Sequence, residues 1–395
     1  MQVISSPSKM KIAHIITRMV RGGADENTLL SCNAQAAAGH EVHLIFGAQA
    51  HNDMLCRADG RVVLHQVPSL VRAVHPLQDA RAVLTIIGLL RKLTPDVVHT
   101  HTSKAGIIGR AAGFFARSRS IIHGVHILPF LNVGKAERIV YLAAERALAA
   151  VTDAFVNVSK GMRDACLQHQ IGHPGNHFVV PSGMDIHAFL HAQPLDDATL
   201  AQVVPEAAQY RVPILLMVAA LEARKRVIEF LDVFNAILAH RPDARFVVLG
   251  EGVDRPCIER AIERKGLAGK VLLAGFRTDV EQWIARADVC VLSSEREGLP
   301  RAIVQYVAGA RPCVVTELPG VDVVVKHGVT GFLVPTERLD AMVEPIVRLL
   351  TDPALAQSMA DQARKLDLLP WSVENMTGEL ERIYAGVLSK KRARP

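Results

Sequence analysis

Short, almost wholly apolar runs recur along this chain, separated by longer stretches in which apolar positions return every three or four residues. The first run, Lys11–Ile16 (KIAHII), reads as a buried strand. It passes through TRMVRGG into a helical pattern over 24–38, where Gly39 fits a helix end, and 41–46 is the next strand. Strand, glycine turn, helix and strand make a βαβ unit and predict a parallel sheet. The alternation continues with helix 77–93 before strand 96–99, helix 104–115 before strand 120–125, and helix 135–150 before strand 154–158. Such a half is doubly wound, with its ligand crevice at the carboxyl ends of the strands. After a stretch rich in Ala, Gln, Asp and Pro, a second series begins. Strands are expected at 214–218, 245–249, 271–273, 289–292, 313–316 and 331–334, and helices at 227–239, 255–265, 280–286 and 300–308.

Length agrees with this division: 395 residues exceed what one hydrophobic core usually organises. Half the residues are hydrophobic and the mean hydropathy is +0.21, enough for a large interior. The apolar runs are broken too often to span a bilayer, and the polar leader 1–9 lacks the signature of a signal peptide. Six cysteines lie scattered without a CxxC, the pattern of reduced thiols in a cytoplasmic protein. A net charge of +6 admits nucleic acid, an anionic membrane surface or phosphorylated small molecules as partners. With 5% aromatic residues and no basic stripe interleaved with aromatics, nucleic acid is not expected.

Candidate chemistry gathers at strand ends. In 293–312 (SSEREGLPRAIVQYVAGARP) a strand feeds a polar segment containing Glu297 and Gly298, and Pro300 is expected to open a helix. The first N–H groups of that helix, at Arg301 and Ala302, suit a phosphate, and the Glu297 carboxylate suits sugar hydroxyls. The same pattern also describes an ordinary capped helix. Arg224 and Lys225 follow the first strand of the second half, where they would neutralise a diphosphate or form a solvated basic turn. Gly250 and Glu251 would line a base pocket or make a plain turn. Gly22 and Gly23 would admit a ligand close to the backbone, although Asp25 and Glu26 in the next helical turn disfavour a pyrophosphate there. His99 and His101 share one face of an extended strand, and His126 follows another strand. Each could bond a substrate or cap the structure, and no acid or thiol stands at metal-ligand spacing beside them.

In this order the pieces resemble the retaining GT-B glycosyltransferases of family four (glycosyl transferases group 1) from Lys11 to about Leu388. The carrying segments are Gly22-Gly23-Ala24, GHEV at 39–42, DVVHTH at 96–101, GVHI at 124–127, VSKGMRD at 158–164, VPSGMD at 180–185, LGEG at 249–252, SSEREGLP at 293–300 and GVTGFLV at 328–334. The resemblance implies two Rossmann-like doubly wound domains facing across a cleft. Residues 1–190 would bind the acceptor, 191–211 connect, 212–372 bind the nucleotide sugar, and 373–395 return as a helix to the first domain. His126, Glu297 and Lys225 would be catalytic. Arg224, Lys225, Gly250, Glu251, Glu297, Gly298, Leu299, Pro300, Arg301, Ala302 and Gln305 would hold a UDP- or GDP-sugar, and Gly22, Gly23, His99 and His101 would meet a glycan or polyprenyl-linked acceptor. No Asp-x-Asp motif stands at a strand end, so neither metal nor cofactor is expected beyond the donor itself. Two positions depart from the family pattern: Ala220 stands for an arginine, and Gln305 for the second of two glutamates. They keep two alternatives open, a nucleotide-sugar epimerase of the same fold and an inactive nucleotide-sugar-binding protein. The family builds surface polysaccharide and glycolipid, so a cytoplasmic enzyme with a peripheral contact to the membrane's inner face is expected.

Overall fold

Two parallel sheets carry the alternation in the computed structural model, which describes residues 9–128, 130, 134–297 and 300–392. The chain divides into one unit of Met1–Met184 with Pro370–Pro395 and a second of Asp185–Leu369.

Among the described residues the first unit has seven strands: β1 (Lys11–Ile16), β2 (Glu41–Phe46), β3 (Val63–Gln66), β4 (Val97–His101), β5 (Ile121–Val125), β6 (Ala154–Asn157) and β7 (His177–Val179). They lie in the order β3-β2-β1-β4-β5-β6-β7, every pairing parallel. Crossovers run through α1 (Gly23–Ala37), α2 (Asn52–Cys56), α3 (Pro76–Leu93), α4 (Ser103–Phe115), α5 (Lys135–Ala149) and α6 (Lys160–Gln168). The second unit opens with α7 (Ile186–Leu190) and α8 (Asp197–Ala201). Its sheet of β8 (Ile214–Val218), β9 (Arg245–Leu249), β10 (Val271–Gly275), β11 (Val289–Leu292), β12 (Cys313–Thr316) and β13 (Gly331–Val334) has the order β10-β9-β8-β11-β12-β13, again parallel. Around it lie α9 (Val227–Leu238), α10 (Arg255–Arg264), α11 (Val280–Arg286), α12 (Arg301–Ala308), α13 (Val343–Thr351) and α14 (Pro353–Ala363), and α15 (Val373–Arg392) ends the chain. α15 packs in the first unit, where Met376, Leu380, Ile383 and Tyr384 join Ile12, Val97 and Ile122 in one core cluster.

Each strand order reverses direction once, between β1 and β4 and between β8 and β11. A doubly wound sheet presents its ligand crevice at that switch point, beyond the carboxyl ends of the strands. The loops after β1, β8 and β11 carry Gly22, Arg224, Lys225 and Glu297, while His99 and His101 lie in β4, His126 follows β5, and Gly250 and Glu251 follow β9.

Three expectations need correction. Residues 191–211 are not a bare connector: they hold α8 and a further helical turn at Pro205–Ala208, belong to the second unit, and are tied to it by the Glu206–Arg245 ion pair. The first unit ends at Met184 rather than at 190, because α7 packs on α11 and α12. Pro300 is the residue before α12, with φ −69° and ψ 116°, so the helix proper starts at Arg301. Strands β3 and β7 were not expected. β3 is an edge strand with an exposed VLHQ pattern that carries little hydrophobic signal, and β7 spans three residues. Among the described residues no helix is long and apolar enough to cross a membrane. All six cysteines are unpaired, with Cys32, Cys166, Cys290 and Cys313 buried and Cys56 and Cys257 exposed.

Candidate functional site

In the second unit the loops after β8 and β11 are joined by hydrogen bonds to backbone carbonyls. Ser293 Oγ donates to the Lys225 carbonyl at 2.7 Å, and the Glu295 N–H donates to the Arg224 carbonyl at 2.8 Å. Tyr306 of α12 fixes the helix to both strands: its hydroxyl accepts from the Val218 N–H at 2.8 Å and donates to the Val291 carbonyl at 3.2 Å. This framework leaves little freedom to the side chains it carries. Glu297 receives the Lys225 ammonium, the Arg224 guanidinium at 2.8 Å and the Ser294 hydroxyl at 3.0 Å. Arg224 also pairs with Glu222 at 2.9 Å.

Lys225 is 7% exposed, which makes this a buried cluster rather than a solvated basic turn. Burial pushes the Glu297 carboxyl up, but Lys225 and Arg224 outweigh it and hold the group below the usual carboxylate range. Burial draws the Lys225 ammonium down, with Glu297 opposing. A carboxylate gripping two cations ahead of the first turn of α12 can exchange those partners for the oxygens of an incoming diphosphate and hydroxyls. Ala302 is buried in that first turn and Gln305 half-buried on the same helix, while Gly298 and Leu299 lie outside the described residues.

Gly250, at the end of β9, has φ +142°, and a Cβ there would sit 2.0 Å from the Ala219 carbonyl oxygen. Its glycine is therefore demanded by the neighbouring strand end, whatever else passes nearby. Glu251 is tied to Arg255 at 2.7 Å, and its carbonyl accepts from the Leu221 N–H at 3.0 Å.

In the first unit Gly22 precedes α1 with extended backbone, and Gly23 is exposed. Asp25 folds back over this turn: a Cβ on Gly22 would lie 2.7 Å from the Asp25 carboxylate. Burial raises the Asp25 carboxyl to about 7, against the pull of Arg18 and of a hydrogen bond from the Val20 N–H. A carboxyl raised on folding takes its proton more readily in the native state. It therefore costs nothing at acid pH and destabilises increasingly as pH rises from about 4 to about 7. Asp25→Asn keeps the acceptor for Val20 and removes the buried charge. It is expected to raise the melting temperature at pH 8, with a gain of up to about 4 kcal/mol, and to leave it unchanged near pH 4. Equal shifts at both pH values in differential scanning calorimetry would refute the assignment.

A cavity of about 500 Å³ in the same unit is lined by Gln49, residues 71–74, Glu137 and Tyr141. The Gln49 carbonyl accepts from the Met19 N–H at 2.9 Å, and Lys104 at the start of α4 donates to the Ala73 carbonyl at 2.7 Å. Val74, Leu77, Ile139 and Val140 leave large apolar surface exposed on the segments that contribute its lining.

His99 and His101 were expected to meet the acceptor, and the structure corrects this: they are 2% and 1% exposed. Together with His14 of β1 they form a buried imidazole cluster that reaches His126. His101 Nε2 lies 2.8 Å from His14 Nδ1, and His101 Nδ1 lies 3.0 Å from His126 Nε2. His126 alone of the four is partly exposed. The ring nitrogens of His14, His99 and His101 lie close enough to suggest a metal site. However, His14 and His101 already engage both nitrogens in hydrogen bonds, and His99 Nδ1 meets Tyr384 Oη at 2.6 Å. His14 was missed from the sequence, although a histidine inside an otherwise apolar strand was the available signal.

Residues 21–188 match the family described as Glycosyltransferase Family 4, and residues 212–352 match Glycosyl transferases group 1. The chain is 25% identical to the UDP-Gal:alpha-D-GlcNAc-diphosphoundecaprenol alpha-1,3-galactosyltransferase of Escherichia coli, over 98% of this chain and 100% of that one. It is 31% identical to the alpha-D-kanosaminyltransferase of Streptomyces kanamyceticus, over 44% of this chain and 45% of the relative. Among solved structures it is similar in fold to Anabaena HepE crystallised with UDP and glucose. That similarity has a TM-score of 0.79 and 19% identity, covering 95% of this chain and 100% of that one.

Proposed function

The chain belongs to glycosyltransferase family 4 and has the GT-B fold, and on that premise we propose that it transfers a hexose from UDP to a lipid-linked glycan acceptor with retention of configuration. The observation that carries the donor side is the buried cluster of Lys225, Arg224 and Glu297 at the switch point of the second sheet. Lys225, Arg224 and the first N–H groups of α12 bind the diphosphate, and Glu297 and Gln305 take sugar and ribose hydroxyls. His126 stands at the transferred sugar. The acceptor hydroxyl attacks the anomeric carbon from the side of the leaving group as the bond to phosphate breaks. The departing phosphate oxygen takes the acceptor proton, giving a glycoside and a nucleoside diphosphate. Two protein cations meet the charge that develops on the leaving group, so no divalent ion is required.

The whole-length similarity to the E. coli galactosyltransferase supports UDP and a polyprenyl diphosphate acceptor. The cavity lined by Gln49, Arg72 and Tyr141 in the first unit supports an amphipathic acceptor: Arg72 suits phosphate, and exposed Val74, Leu77, Ile139 and Val140 suit lipid or a peripheral contact with an anionic membrane surface.

UDP-hexoses are expected to raise the melting temperature more than GDP- or ADP-sugars. At a hundredfold excess over Kd the added stability is about 2.7 kcal/mol. Incubation of a labelled UDP-hexose with a polyprenyl diphosphate-linked sugar should then yield an α-linked product by NMR. Donor that isomerises without transfer, or no thermal response to any nucleoside diphosphate sugar, would overturn the proposal.

A further inference from the structure

We propose that Gln35, His14 and His101 are positioning residues that fix the tautomer of His126, keeping its proton on Nε2 and presenting Nδ1 as a hydrogen-bond acceptor. The argument starts from the buried end of the cluster. Tyr384 Oη lies 2.6 Å from His99 Nδ1, shorter than N–H donors usually come and within the range of an O–H donor. With the tyrosine assigned as the donor, its oxygen is left to accept and the His99 proton sits on Nε2, a buried nitrogen with no hydrogen-bond partner among the described residues. Gln35 Nε2 donates to that oxygen at 3.4 Å, which turns Gln35 Oε1 toward His14 Nε2 at 2.8 Å. An amide oxygen can only accept, so His14 carries its proton on Nε2.

From here each link dictates the next, because a neutral imidazole has one N–H and one lone pair. His14 Nδ1 must accept, so His101 donates from Nε2 across 2.8 Å. His101 Nδ1 must then accept, so His126 donates from Nε2 across 3.0 Å. The His14 and His101 rings stay neutral for a physical reason: burial lowers His14 to about 4 despite the Gln35 bond, and holds His101 well below the ordinary imidazole value. The chain runs through Gln35 and Tyr384 to His99, all three buried, so it has no outlet at that end and serves as an orientation lock rather than a proton path. The backbone protects the last link. A Cβ on Gly124 would stand 3.1 Å from both His101 Nδ1 and His126 Nε2, leaving no slack for a side chain beside it. A carboxamide turned the other way would reverse every link and give the Nδ1–H form of His126, so the proposal has a definite opposite.

The importance of the lock for transfer rests on the placement of His126 at the transferred sugar, and the experiment separates the two. Long-range 1H–15N spectra of the histidine-labelled full chain, with His126 assigned by the loss of its signals in His126→Gln, read the tautomer without any substrate. The wild type is expected to show His126 as the Nε2–H form, and Gln35→Met to populate Nδ1–H while kcat/KM for the donor falls roughly tenfold. An Nδ1–H form in the wild type overturns the proposal whether or not the variant folds. An unchanged tautomer in a folded Gln35→Met overturns it as well. A shifted tautomer with unchanged kcat/KM overturns the positioning role and points to the placement of His126, not to the hydrogen-bond chain.

Discussion

Glu297→Ala is expected to lower turnover by about three orders of magnitude in a protein that remains folded. The carboxylate is the point at which Lys225, Arg224 and the Ser294 hydroxyl converge. Its removal leaves two cations facing each other in a largely buried site, with burial of Lys225 opposed only by the weaker attraction of Glu222. The ammonium then loses both its position and part of its charge, so the diphosphate contact weakens along with the sugar contact. Arg224 is one-third exposed and still pairs with Glu222, which limits the cost in stability to about 2 kcal/mol, within reach of a domain of this size. Glu297→Gln keeps the shape and one acceptor oxygen and is expected to fall between the two. Steady-state kinetics with the UDP-hexose, alongside circular dichroism, decide the matter. Turnover of Glu297→Ala within threefold of the wild type would remove Glu297 from the site.

Much of this architecture was legible because parallel strands buried on both faces read as unbroken apolar runs: β8 is ILLMV and β11 is VCVL. β3 was not, since an edge strand with exposed residues has no such run. At the site, strand-end position pointed to Arg224, Lys225 and Glu297 but not to their direct union, because the loops that join them are 72 residues apart. The shared face of His99 and His101 was visible from their spacing. Their burial was not, because it depends on α1 and α15, and Tyr384 lies 285 residues from His99. Asp25 shows the same limit in another form. In sequence it is one of two acids in a first helical turn, where acids are common; only the folded turn shows its carboxylate packed over Gly22. The departures at Ala220 and Gln305 also read differently beside the structure. Arg224 reaches Glu297 at 2.8 Å, so a second cation stands in the cluster even though position 220 supplies none.

Lys225→Met should be the most damaging single change, lowering kcat by about 10³ to 10⁴ with a smaller effect on KM for the donor. Methionine retains the length and apolar volume of the stem, so packing at a position only 7% exposed is kept and the loss reports the charge. That charge acts on the bond being broken. As phosphate departs its oxygens gain negative charge, and a buried ammonium already held in place stabilises that state more than the bound donor. The backbone here is fixed independently, since Ser293 and the Glu295 N–H bond the carbonyls of Lys225 and Arg224, not their side chains. Collapse of the loop would therefore be a poor explanation for lost turnover. The double variant Lys225→Met with Glu297→Ala provides the sharper measurement. If the two side chains act as one unit, the second substitution adds little to the first, and the losses fall well short of multiplying. The double variant should also be no less stable than Lys225→Met alone, because it no longer buries a carboxylate that has lost a partner. Losses that multiply fully, with independent changes in melting temperature, would mean that the ion pair is incidental and that Lys225 and Glu297 serve the donor separately.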